Sequence, residues 1–326
     1  MRQSWVRAVV LPVAVASACG LWGRPGYGAT SAPTAAAPEK IIIDTDIGTD
    51  IDDAFAVALS LQSPELKLLG LTTASGDTAA RARILDRMLG ELGYADIPVA
   101  VGRSTTLPLG TPPVGRQSRY GDQSHFAKSA HADAVEFILE QIHRFPGQIT
   151  LVAIGPLTNL GDLIDRDPEA FRKLKRVVIM GGAIGPVDMG GWGSTATPTP
   201  EYNIVGDITA AQKVFASGVP LFAMPLDSTA QLKLDEVKRD AVFAHGSPVT
   251  DSLGILYLLW GNTTPVLYDV MAVAYVLDPS LCPVQPMHVT VDEQGVTRAG
   301  PGGPTAQVCM HSDPEQFFHF YLSRTH

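Results

Sequence analysis

The chain is poor in cysteine, in charge and in aromatic residues. Three cysteines in 326 residues, none in CxxC spacing, exclude a zinc ribbon and a dense disulfide scaffold, so the fold must rest on packing. Only 17% of residues are charged, and Lys plus Arg number 24 against 33 for Asp plus Glu, a formal net charge of −9. No basic run interrupts that acidity, so a nucleic-acid backbone finds no complementary surface. The GxSxG elbow, the GxGxxG turn and the GK[ST] P-loop are missing, and the eight histidines are scattered singly. GGAIGPVDMGG is glycine-rich without either phosphate-binding pattern, and its glycines suit close backbone approach and loop mobility. Apolar residues, at 45%, are plentiful. They can fill a large core, which rules out disorder as the main state.

The N-terminal segment reads as an address. Arg2 and Arg7 precede an apolar run from Ala8 to Ala18 that closes on Ala16-Ser17-Ala18, the charge, greasy stretch and small-residue site of a secretory signal. The run is shorter than the roughly 20 residues a membrane span needs and contains Pro12, so no span is expected. Cys19, directly after Ala18, also resembles a bacterial lipoprotein acylation site, which leaves a lipid anchor open. The expected organisation is a signal peptide over 1–18, a flexible tether over 19–39 and one catalytic domain over 40–326, in a periplasmic or secreted protein.

KIIIDTD, LKLLGLTT, IPVAVG, QITLVAIG, RVVIMGG and VPLFAM are short β-branched runs bounded by Gly, Pro or Asp, as expected of strands buried on both faces. Between them DDAFAVALSL, TAARARILDRMLGEL, HADAVEFILEQIH, LTNLGDLI and DITAAQKVFASG carry apolar residues at helical spacing. The alternation predicts an α/β class, a single doubly wound domain with a mostly parallel central sheet. MHVTV and TAQVCM alternate and predict a small C-terminal β-ribbon. Cys282 and Cys309 flank it; pairing and two buried free thiols are both open. Two long loops, Arg103 to Gln123 and Ile184 to Pro200, have the length of lids or binding loops.

In open parallel sheets ligands lie beyond the carboxyl ends of the strands. There, IIIDTDIGTDIDDAFAV crowds Asp44, Asp46, Asp50, Asp52 and Asp53 within ten residues, at a strand end and a helix start. Two unit charges about 4 Å apart repel by roughly 4 kcal/mol at an effective dielectric near 20, whereas a helix N-terminus returns only about 0.3–1 kcal/mol. A cation is therefore required. An all-oxygen ligand set favours Ca²⁺, with Mg²⁺ second. An EF-hand fails: counting from Asp44, Gly48 falls one position early and Phe55 stands where the bidentate Glu belongs. Asp52 and Asp53 lie about 100° apart on a helix, so one can grip a metal while the other faces a water.

DTDIGTDIDDAFAV, ASGDTAAR, LVAIGPLTNL, VVIMGGAIG, PEYN and YDVMAVAY resemble, in order and spacing, the motif series of the inosine-uridine-preferring nucleoside hydrolases, from Ile41 to about Phe317. The resemblance implies a nucleoside hydrolase-like fold and Ca²⁺-dependent cleavage of ribonucleosides to base and ribose, in the setting of nucleoside salvage. It implies that Asp46, Asp53, the Ile154 carbonyl and Asp269 hold a Ca²⁺ that chelates the ribose 2′- and 3′-hydroxyls. Asp52 matches the general base, Asp44 an active-site carboxylate, and Glu201 and Asn203 the residues on the ribose hydroxyls. It also implies a homo-oligomer, dimer or tetramer.

Departures from the family pattern bear on function. About two extra residues surround Asp50, which leaves Asp46 or Asp50 as the ligand. Asp77 stands near the sugar where many members have Asn. Tyr268 precedes Asp269 where many have His as leaving-group acid, and a phenol with a reference pKa near 10 is a weaker proton source. Stacking of the base on Trp192, Trp260 or Tyr257 offers other help, as does His125 if its loop closes. A quiet nucleoside- or ribose-binding protein on the same scaffold, and a hydrolase of another N-ribosyl compound, are the alternative readings.

Overall fold

The computed structural model describes residues 37–105, 114–188, 195 and 197–325. The expected signal peptide, nearly all of the tether, Cys19 and Trp192 lie outside the described residues. Residues from Ala37 onward form one compact unit. No helix among the described residues is long and apolar enough to cross a membrane.

Seven strands run parallel: β1 (Glu39–Thr45), β2 (Leu66–Thr73), β3 (Val99–Val101), β4 (Ala132–Asp133), β5 (Ile149–Ala153), β6 (Arg176–Met180) and β7 (Leu221–Met224). Three more, β8 (Gln285–Val291), β9 (Thr297–Ala299) and β10 (Thr305–Val308), complete one sheet in the order β4-β3-β2-β1-β5-β6-β7-β10-β8-β9. The expected C-terminal ribbon is present and joins the central sheet. β10 pairs in parallel with β7 and antiparallel with β8, so the ribbon covers the backbone edge that β7 would otherwise leave open.

Helices cover both faces, among them the short segments α3 (Ser118–Gly121), α6 (Pro168–Phe171) and α9 (Leu226–Thr229) and the longer α10 (Glu236–Phe243) and α13 (Pro314–Leu322). α1 (Asp52–Leu61), α2 (Thr78–Glu91), α11 (Pro248–Trp260) and α12 (Tyr268–Leu277) bury one core with Ile41 and Ile43. α4 (Ala134–Arg144), α5 (Thr158–Arg166) and α8 (Ile208–Ala216) bury the other with Ile42. Ile41, Ile42 and Ile43 have no exposure at all, the alternation expected of a central strand with two covered faces. HADAVEFILEQIH departs from its helical reading at its start. Ala132 and Asp133 pair with β3, and the Asp133 carboxylate accepts from the amides of Val135 and Glu136, so the helix begins after it.

Strand order reverses between β1 and β5. The carboxyl ends of these two strands thus diverge into a crevice, the switch point where α/β sheets place ligands. Asp44, Thr45 and Asp46 leave β1 there, and Ile154 follows β5.

Cys282 and Cys309 are bonded, both fully buried, across 27 residues. The bridge joins the segment after α12 to the end of β10. Replacing both by alanine should lower the unfolding free energy by about 3.5 kcal/mol, because closing a loop of this length removes that much entropy from the unfolded chain. Urea unfolding checks it; an unchanged midpoint would show the bridge to be dispensable.

Candidate active site

Two helix starts meet at the crevice. Asp52 and Asp53 occupy the first turn of α1, and Asp269 the first turn of α12, so the positive ends of both helices face the acidic groups. One ligand oxygen from each of these three aspartates lies within 4.8 Å of the others, and all three are buried. The Asp269 amide donates to Asp52 Oδ2 at 3.0 Å, and the Thr45 hydroxyl donates to Asp53 Oδ1. Burial first, and the neighbouring carboxylates second, push the pKa values of Asp52, Asp53 and Asp269 well up. Burial also raises Asp46 to about 6, against the opposing pull of Arg81, whose guanidinium stands 3.8 Å from Asp46 Oδ2.

A cavity of about 420 Å³ opens over this nest. Asp46, Asp50, Asp52, Asp53, Ile154, Glu201, Asn203, Tyr268 and Asp269 line it, so most of the residues singled out from sequence converge. Glu201 caps the short helix α7 (Tyr202–Gly206), accepting from the amides of Asn203 and Ile204, and it also takes the Gly182 amide at 3.0 Å. Asn203 donates to the carbonyls of Met180 and Ile154. Tyr268 is half-buried; burial, then the charge of Asp52, raises its pKa, so the phenol keeps its proton.

Other expected residues are elsewhere. Asp44 is fully buried beneath the cavity, where its Oδ1 accepts from Thr72 and Asn159 and its Oδ2 has no partner; burial lifts its pKa to about 7. Asp77 is exposed, caps α2 through the Ala80 amide and lines a different groove with Arg103 and Asp207. Trp260 sits beside the Asp50 carboxyl on a neighbouring cavity of about 500 Å³. Tyr257 packs between Phe243 and Trp260 and donates to the Thr263 carbonyl. His125 is exposed and packs at a tilt against the ring of Phe126.

Sequence reasoning missed Arg81, Thr49 and Tyr202. All three lie inside recognised motifs, Thr49 in DTDIGTDIDDAFAV, Arg81 at the end of ASGDTAAR and Tyr202 in PEYN, and an arginine on the apolar face of α2 was a further signal for Arg81.

The family model described as inosine-uridine preferring nucleoside hydrolase matches residues 41–319. The chain belongs to the inosine-uridine preferring nucleoside hydrolase family. Uridine nucleosidase 1 of Arabidopsis thaliana is 37% identical over 67% of this chain, an alignment spanning 65% of that protein. The pyrimidine-specific ribonucleoside hydrolase RihA of Citrobacter koseri is 34% identical over 78% of this chain and 84% of its own length. Among solved structures, the plant nucleoside hydrolase PpNRh1 superposes with a TM-score of 0.77 at 26% identity, covering 88% of this chain and 99% of that one. The Purine-Preferring Ribonucleoside Hydrolase from Gardnerella vaginalis superposes at 0.74 with 25% identity, over 88% and 98%. This nucleoside hydrolase is thus an enzyme of the ribonucleoside-cleaving class.

The residues present fit a hard divalent cation. Three buried carboxylates converge, and Ile154 lines the same cavity with a carbonyl that has two lone pairs and one long 3.3 Å contact from Asn203, so it keeps acceptor capacity. Proton linkage makes this testable. Folded carboxylates with raised pKa values hold protons that the unfolded chain releases near 3.8, so without a cation stability falls as pH climbs from about 4 through the values near 6 and 7. A cation displaces those protons. The rise in melting temperature on adding Ca²⁺ to chelator-treated protein should therefore be several-fold larger at pH 8 than at pH 5; equal rises would contradict the linkage.

Proposed function

We propose that the chain is a Ca²⁺-dependent N-ribohydrolase that releases base and ribose from ribonucleosides. The carrying observation is the nest of Asp52, Asp53 and Asp269 within a cavity that also presents Asp46, Glu201 and Asn203. The relatives named for uridine and for pyrimidine ribonucleosides make uridine the first substrate to assay.

Asp52, Asp53, Asp269 and the Ile154 carbonyl would hold the ion. When bound, it supplies a Lewis acid that offsets the carboxylate charge and attracts the oxygens of a vicinal diol and a water. Glu201 and Asn203, fixed at the start of α7, orient the ribose. Breaking the C1′–N bond leaves positive charge on the sugar, which the surrounding carboxylates stabilise, while the bonding electrons depart with the base. Tyr268, still protonated, donates a hydrogen bond toward the leaving base.

The proton of the attacking water needs an acceptor. Asp52 was the expected base, with Asp46 as a ligand, but the geometry favours an exchange of roles. Asp52 belongs to the three-carboxylate nest and its Oδ2 already takes the Asp269 amide. Asp46 faces the cavity, and a pKa of about 6 leaves it ionised and able to accept near neutral pH. The buried disulfide supports a working place in an oxidising compartment, in keeping with the signal read from residues 1–18.

Asp46→Asn should lower kcat on uridine by about 10²–10⁴ while calorimetric Ca²⁺ affinity stays within a few-fold, and Asp52→Asn should chiefly weaken Ca²⁺ binding. The reverse pattern would return the base to Asp52. Binding of uridine with Ca²⁺ but no release of reducing sugar would make the protein a nucleoside-binding relative.

A further inference from the structure

Arg81 is the largest fully buried side chain among the described residues, and it projects from α2 into the acidic crevice. Withdrawing a guanidinium from water costs several kcal/mol unless its donors are satisfied. Here Nε donates to the Ser75 carbonyl at 2.8 Å, Nη1 to the carbonyls of Asp46 and Ile47, and Nη2 to Thr49 Oγ1 at 3.0 Å. Nη2 also stands 3.8 Å from Asp46 Oδ2. Three of these partners, Asp46, Ile47 and Thr49, belong to the turn between β1 and α1. That turn folds back at Gly48, whose φ of +110° suits glycine and where a Cβ would meet Ile84 Cδ1 at 2.7 Å and Val114 Cγ1 at 2.8 Å.

This turn carries Asp46, holds about two more residues than the usual family loop, and has Arg81 at its centre as a brace. A helix-borne guanidinium meets several oxygens at fixed angles, which a lysine ammonium cannot do. We propose that Arg81 is a positioning residue for the hydrolytic reaction, holding the Asp46–Thr49 turn so that the Asp46 carboxylate faces the cavity. The proposal rests on Asp46 being the proton acceptor. Arg81 touches neither the ribose-orienting pair, Glu201 and Asn203, nor Asp269, although its charge also acts on Asp53, so its loss falls on turnover, with any change in Ca²⁺ affinity measured alongside, and not on nucleoside affinity.

The test measures kcat and KM on uridine, Ca²⁺ affinity by calorimetry and the urea midpoint for Arg81→Lys, Arg81→Met, Thr49→Val, Asp46→Asn and the double variant Asp46→Asn/Arg81→Met. Arg81→Lys and Arg81→Met are expected to lower kcat at least about tenfold, the equivalent of roughly 1.4 kcal/mol, with KM within about threefold. In the Asp46→Asn background, Arg81→Met should bring no further loss, because residues acting through one another are non-additive. Thr49→Val removes one Arg81 contact, together with the Thr49 hydroxyl's hydrogen bond to Tyr202, and should shift kcat in the same direction by less with KM again within about threefold, which keeps the test decisive should the Arg81 variants unfold. Full kcat in Arg81→Lys, unchanged kcat in Thr49→Val alongside unfolded Arg81 variants, or additive losses in the double variant would overturn the role of Arg81 alone. Full turnover in Asp46→Asn would overturn the acceptor assignment and this role together.

Discussion

Buried carboxylates that converge from distant parts of a chain repel, and the rest of the site exists to make that convergence tolerable. Asp52 and Asp53 arrive on one helix and Asp269 on another more than two hundred residues later. Each helix start contributes a partial positive end and free amides, yet together these return less than the mutual repulsion of the three charges. Without a cation, protonation of the raised carboxylates relieves the remainder; a cation held between them would displace those protons. Everything nearby serves the same end: the Thr45 hydroxyl on Asp53, the Asp269 amide on Asp52, and Arg81 beside Asp46.

The sheet explains why the convergence happens where it does. Reversal of strand order between β1 and β5 opens one crevice, and the chain fills it with polar ends of otherwise apolar strands. Glu201 couples this crevice to the opposite core, since one carboxylate caps α7 and also fixes the Gly182 turn after β6. The disulfide ties the segment after α12, the helix that carries Asp269, to β10. The carboxylate nest, the Glu201–Asn203 pair and the scaffold are thus linked through a few shared residues.

Much of this was legible in the sequence. The β-branched runs became the parallel strands, and DDAFAVALSL became α1 with its predicted limits, because burial on both faces leaves an unmistakable apolar signature. Asp52, Asp53 and Asp269 were legible as residues that converge, whereas the path of the Asp46–Thr49 turn, which sets where Asp46 faces, follows no periodicity. Asp77 shows another limit: its motif position suggested a place near the sugar, while its carboxylate accepts from the Ala80 amide of α2 and lines another groove. Arg81 was hidden for a related reason, since an arginine in an amphipathic helix ordinarily lies on the solvated face. The pairing of β10 with β7 and the Cys282–Cys309 bond are long-range facts that alternation alone leaves open.

Crystals of the full chain soaked in a heavier divalent analogue of Ca²⁺ would test the central claim most directly by anomalous scattering. The account predicts a single peak per chain, within bonding distance of oxygens from Asp52, Asp53 and Asp269. A crevice without a peak at saturating ion, or a peak bound only by other residues, would contradict it.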